Sequence, residues 1–111
     1  MKKNVLLTAV VLGATLLAAR ADDASKVWDQ HCAGCHGKEG KGDTKMGKIL
    51  HVPDYSDSKV QASFTDEQAF NDIKNGVKKD GRTKMMAFEG KLTDDQIHEL
   101  VKHIRTFKKS S

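Results

Sequence analysis

The chain has few of the residues that usually hold a small domain together: two cysteines, one proline, and six aromatic side chains (one Trp, one Tyr, four Phe) among 111 residues. Two cysteines allow a single bridge at most, so a disulfide framework is excluded. No apolar run reaches the roughly 20 residues of a membrane-spanning helix. No stretch alternates with the period of a strand, and no segment repeats. Paired carboxylates suited to acid–base work are also missing, because the acids gather at helix starts, where the helix dipole accounts for them. A chain this short, with so few aromatic anchors, has little from which to build a self-sufficient core, and domains of its size often depend on a metal or a large prosthetic group.

The N-terminus reads as a leader. Lys2 and Lys3 precede an apolar run from Val5 to Ala19, broken only by Thr8, Gly13 and Thr15, and Ala19-Arg20-Ala21 supplies an A-x-A cleavage site. This is the pattern of a secretory signal peptide. Residues 1–21 are therefore expected to be removed, leaving a single domain over 22–111 in the periplasm or another extracytoplasmic space. A retained membrane anchor is the competing reading; lipid attachment is disfavoured because no cysteine lies near the cleavage site. Cleavage alters the charge. The full chain carries 19 Lys+Arg against 15 Asp+Glu, a net of +4, and losing Lys2, Lys3 and Arg20 leaves +1. Nucleic-acid binding, which needs clustered positive charge, is not expected.

The remaining chain reads as all-α. A first helix is expected from Asp23 or Ala24 to about Cys32, with Ala24, Val27, Trp28 and His31 at helical spacing. Gly37 to Pro53 contains Gly37, Gly40, Gly42 and Gly47 and reads as a long ordered loop. A short helical turn is expected over Ser56–Ala62. Thr65-Asp66-Glu67-Gln68 and Thr93-Asp94-Asp95-Gln96 are capping boxes that open two further helices. The first carries Ala69, Phe70 and Ile73 and stops near Gly76; the second carries Ile97, Leu100, Val101, Ile104 and Phe107. Lys78 to Phe88 has no helical period and holds the adjacent pair Met85-Met86.

Cys32-Ala33-Gly34-Cys35-His36 carries the chemistry. Two thiols at this spacing can each form a thioether to one porphyrin, and the next residue brings an imidazole to the iron. Small residues between the cysteines let the backbone lie close to the macrocycle. A redox dithiol would open a helix after a strand, whereas these cysteines close a helix in a chain without strands. A zinc site needs about four ligands, and His51, His98 and His103 form no compact second pair. A plain disulfide is compatible with export but leaves His36 unexplained. One covalent haem c, held by Cys32, Cys35 and His36, is the expected cofactor.

From Asp22 to about Lys108 the chain resembles the class I cytochromes c of the small bacterial monohaem type. The resemblance rests on the helix entering Cys-Ala-Gly-Cys-His, the segment Gly37-Lys-Glu-Gly-Lys-Gly-Asp43, the late methionines and the ending Lys91-Leu-Thr-Asp-Asp-Gln-Ile. It implies a cytochrome c-like fold of about four short helices around the haem. In that family the methionine of a Met-x-Ala/Pro-Phe segment supplies the sixth iron ligand, which maps to Met85 in Met85-Met86-Ala87-Phe88. Met86 stands where many relatives have proline or lysine and is the alternative. A thioether suits this position and raises the reduction potential relative to two imidazoles. Met46 is expected as core filler, with His51 a remote alternative ligand. A carbonyl of the Gly37–Pro53 loop is expected to accept the second ring N–H of His36. His103 takes the place of the family's aromatic residue where the last helix crosses Ala24 and Trp28.

These readings imply a periplasmic electron carrier that passes one electron at a time and is not an enzyme. It would be a monomer that docks transiently with redox protein donors and acceptors, takes no small-molecule substrate, and meets a membrane only through those partners. The lysines read first as a solvated surface that keeps the protein soluble and alternatively as a partial ring around the haem edge that orients partners. Arg82 is a candidate for a haem propionate. The rival functions are a haem-relay subunit of a larger redox complex, a haem-based ligand binder or sensor, and a thiol oxidoreductase without haem.

Overall fold

The computed structural model describes residues 20–109. Apart from Arg20 and Ala21, the expected leader over residues 1–21 lies outside the described residues. Helix α1 (Ala21–Val27) continues without a break into a π-helical turn (Trp28–Cys32) and then α2 (Ala33–His36). Asp22 and Asp23 stand in its first turn, as the helix dipole favours. In the π turn the Ala33 amide donates to the Trp28 carbonyl, a bond one residue longer than in an α-helix. Ala24, Trp28 and Cys32 are buried while His31 is exposed. The buried stripe thus ends on the first cysteine of the motif.

Helix α3 (Lys45–Leu50) lies inside the segment expected to be a loop. Thr44 caps it by accepting from the Gly47 amide, and glycine at a helical position hides it in the sequence. Helix α4 (Ser58–Ala62) follows, then α5 (Asp66–Asn75) and, later, α6 (Asp94–Thr106). Both capping boxes form in full, with Thr65 and Thr93 each paired reciprocally with the glutamine three residues on. Ile97, Leu100, Val101 and Ile104 of α6 are buried against Trp28 and against Ala69 and Ile73 of α5. Each such aliphatic side chain contributes about 1.5–3 kcal/mol by leaving water. Trp28 meets His103 at 5.6 Å and Phe107 at 5.0 Å between ring centroids, the crossing expected of the first and last helices.

The described fold is helical apart from one ribbon. Strands β1 (Val77–Lys79) and β2 (Arg82–Met85) pair antiparallel, with Lys79 opposite Arg82 and a bulge after Val77. Asp80 and Gly81, at φ 54° and 75°, make the tight turn that suits a hairpin's twist. The Asp-Gly pair signals such a turn, but strands made mostly of lysine, arginine and threonine show no alternation. Past the ribbon, the amides of Phe88 and Glu89 donate to the carbonyls of Ile73 and Lys74, each at 3.0 Å. Those bonds hold the methionine segment against the end of α5.

Candidate haem site

A cavity of about 590 Å³ opens between the π turn, α2, α5 and the ribbon, and Cys32, Cys35, His36 and Met85 all line it. Its volume is in the range of cofactor pockets, about 300–1,000 Å³. Apolar side chains such as Ile73, Phe88 and Leu100 line much of the remainder.

The cysteine side is fixed by the backbone. Trp28 Nε1 donates to the Gly37 carbonyl at 2.9 Å in a buried setting, tying the π turn to the residue that follows the motif. Thr44 Oγ1 donates to the Cys35 carbonyl at 2.6 Å while capping α3. Gly47 lets α3 approach this closely, since a Cβ there would lie 2.5 Å from the Cys35 carbonyl oxygen. No disulfide joins the two cysteines. Burial, with a smaller contribution from Cys35, pushes the Cys32 thiol up to about 12. A thiol oxidoreductase needs the opposite shift in its nucleophile. Among the described residues no group of three or more His, Cys, Asp or Glu side chains could hold a metal ion, so the zinc reading finds no ligand set there.

His36 is buried between two rings. Trp28 lies 5.5 Å away at a tilt, and Tyr55 stacks at 5.5 Å with 20° between planes. Burial lowers the imidazole pKa and favours the neutral, metal-binding form. Its Nδ1 is buried with no hydrogen-bond partner. The carbonyl acceptor expected from the Gly37–Pro53 loop is therefore not in place: the loop turns other groups toward the motif. A buried unpartnered polar atom costs about 1–3 kcal/mol. A neutral imidazole with unused coordinating capacity, two thiols and a thioether around one apolar cavity form a donor set that fits a covalently attached haem.

The methionines separate clearly. Met85 ends β2, is half-buried and packs against the core, whereas Met86 is 60 % exposed although it also borders the cavity. Met46 is 46 % exposed on α3 and so is not core filler; the closeness of α3 to the motif turns that side chain outward. His51 borders the cavity from the left-handed residue that ends α3. Arg82 is exposed at the ribbon and does not line the cavity; Lys79 and Lys84 do. Tyr55 gives no signal in the sequence, because its place on His36 depends on packing between distant segments. Burial, followed by the charges of Asp72 and Cys32, raises its phenol to about 12.

Residues 19–104 match the family model described as cytochrome c oxidase, cbb3-type, subunit III. Among solved structures, the KustC0563 c-type cytochrome is similar at 35% identity with a TM-score of 0.69, covering 78% of this chain and 98% of that one. A tyrosine-to-phenylalanine mutant of Kustc0563 is similar at 35% identity with a TM-score of 0.67, covering 78% and 99%. No curated protein matches.

Proposed function

The chain belongs to the c-type cytochromes, in the family described as cytochrome c oxidase, cbb3-type, subunit III, and from that membership we propose that it is an exported, monomeric carrier of single electrons. Membership means covalently bound haem c and haem-based electron transfer. Haem c supplies a one-electron couple at its iron. In our reading Cys32 and Cys35 would hold the group through thioethers, and His36 and Met85 would supply an imidazole and a thioether to its iron. The observation that carries this reading is that four residues from two remote segments line one cavity. Met85 is favoured over Met86 because its side chain is half-buried against the core while Met86 faces water.

Each protein group then has a defined task. Trp28 and Thr44 fix the C-terminal end of the motif through the Gly37 and Cys35 carbonyls, Tyr55 and Trp28 confine the imidazole, and the apolar lining excludes water. Two protein ligands kept in both oxidation states would leave little for the chain to rearrange on electron transfer. No bond is made or broken in a substrate, so we read the chain as a carrier rather than an enzyme. Lys79 and Lys84 border the cavity, Lys78 and Arg82 share their ribbon, and none of the four belongs to an ion pair among the described residues. Free cations there suit weak, transient docking of a redox protein, acting mostly on its approach rate. The leader pattern supports work outside the cytoplasm.

Absorption spectra of the mature protein, oxidised and reduced, test the proposal. Covalent haem with a far-red methionine–iron band is expected, and the band should vanish in Met85→Ala. Its loss in Met86→Ala alone would move the ligand to Met86. An oxidase subunit in the family's description supports a second reading, a relay domain inside a larger complex. A mature protein that purifies alone and reduces a soluble acceptor would exclude that reading. Ready carbon monoxide binding by the ferrous form would instead favour a ligand sensor.

A further inference from the structure

Among the described residues two polar side chains are buried, His36 and Gln61. His36 belongs to the cavity, whereas Gln61, 5 % exposed on α4, has no part in the function described above. Its amide is fully engaged. Nε2 donates to the Tyr55 carbonyl at 2.7 Å and the Ile104 carbonyl at 2.8 Å, and Oε1 accepts from Arg105 Nη1 at 2.8 Å. Arg105 also donates from Nη1 to the Gln61 carbonyl at 2.6 Å, from Nη2 to the Phe64 carbonyl at 2.9 Å and from Nε to Asp66 Oδ1 at 2.8 Å. One guanidinium thus braces α6 against the chain between α4 and α5.

The brace leads to the iron site. The Arg105 guanidinium lies 4.2 Å from the centre of the Phe64 ring. Phe64 meets Tyr55 edge-on at 5.7 Å, and Tyr55 stacks on His36. Gln61 holds the Tyr55 backbone from the other side. Tyr55 is therefore fixed at its carbonyl and at its ring by groups that do not themselves touch His36.

We propose that Gln61 and Arg105 are positioning residues for the redox centre: they clamp Tyr55 against the His36 imidazole and thereby keep the reduction potential high. This rests on the reading of His36 as an iron ligand. A dry, closed surrounding disfavours the more highly charged oxidised state. Releasing Tyr55 admits water beside the imidazole and favours oxidation. Arg105→Lys is a selective probe, because it keeps the charge facing Asp66 and removes the planar fork.

The test is spectroelectrochemical titration of the purified holoprotein. Arg105→Lys should lower the equilibrium constant for reduction about threefold, about 28 mV at 59 mV per decade for one electron. Tyr55→Leu should lower it at least as far, and Arg105→Lys in the Tyr55→Leu background should add no further shift. A reduced melting temperature with an unmoved potential would overturn the proposal, leaving Arg105 a merely structural residue. A full shift persisting in the Tyr55→Leu background would also overturn it, since Arg105 would then act without Tyr55. If Arg105→Lys does not accumulate with haem, Gln61→Met undergoes the same titration with the same expectation. A wild-type spectrum without imidazole ligation would refute the ligand reading itself; a normal spectrum with unmoved potentials would refute the clamp alone.

Discussion

His36 sits among aromatic rings, next to carbonyls held by Trp28 and Thr44, whereas Met85 ends a two-stranded ribbon whose Lys78 and Lys79 are exposed. On the first side the ordering groups are side chains from several segments converging on one short motif. On the second they are main-chain contacts: the pairing of β2 with β1, the close approach of Gly76 to the Met85 carbonyl, and the bonds from Phe88 and Glu89 to the end of α5. One cavity thus has a densely braced wall and a lightly tethered one. The braced wall suits permanent attachment, and the tethered wall suits a ligand that need only reach across and a surface that partners can approach.

The largest expected effect comes from removing the attachment. Replacing both Cys32 and Cys35 with alanine should abolish haem staining after denaturing electrophoresis and weaken the cooperative thermal transition, because a cavity of about 590 Å³ would lose its covalent filler. Retained staining would break the comparison at its base. Next, Met85→Ala should lose the far-red band and keep covalent haem, so that one wall fails while the other holds. The packing contrast is smaller and can be read by urea unfolding. Gly47→Ala drives a Cβ against the Cys35 carbonyl and should cost about 3 kcal/mol by overpacking. Gly81→Ala, at φ 75° with nothing within 4 Å, should cost about 1 kcal/mol, the strain of a left-handed residue. Equal costs would mean the two walls are equally tight.

The smallest effect concerns pH. Burial lowers the pKa of His103, with Asp29 acting in the opposite direction. The unfolded chain therefore takes up this proton first as the pH falls below 6.5. Stability should decline through that window and level off below the folded pKa. His103→Phe should flatten this part of the profile in melting experiments at pH 5 to 8. An unchanged slope would show that His103 does not titrate on unfolding.

The two walls are legible in the sequence to different degrees. Cys32, Cys35 and His36 form a contiguous motif, and the capping boxes at Thr65 and Thr93 announce their helices locally, so neighbouring residues alone reveal these features. Met85 is legible only through resemblance, because nothing local distinguishes its sulfur from that of Met86; burial separates them. Helix α3 is hidden because its cap, Thr44, and its glycine, Gly47, both serve Cys35 across a tertiary contact. The ribbon is hidden because its strands are cationic and only Asp80-Gly81 marks the turn. Tyr55 and Gln61 carry no periodic signature, and their roles arise where α4 and α6 meet.

The π turn at Trp28–Cys32 has a consequence for how the motif is aimed. A turn closed one residue late shifts the register of everything beyond it by about 100°, the angle between successive residues in a helix. A single rod can then address two clients, with Ala24 and Trp28 facing α6 and the thiols and imidazole facing the cavity. The spacing between Trp28 and Cys32 is accordingly a phase setting: winding the same residues as a regular α-helix would rotate the motif by about 100°, whereas removing one residue would convert the turn to an α turn and leave the motif aimed at the pocket.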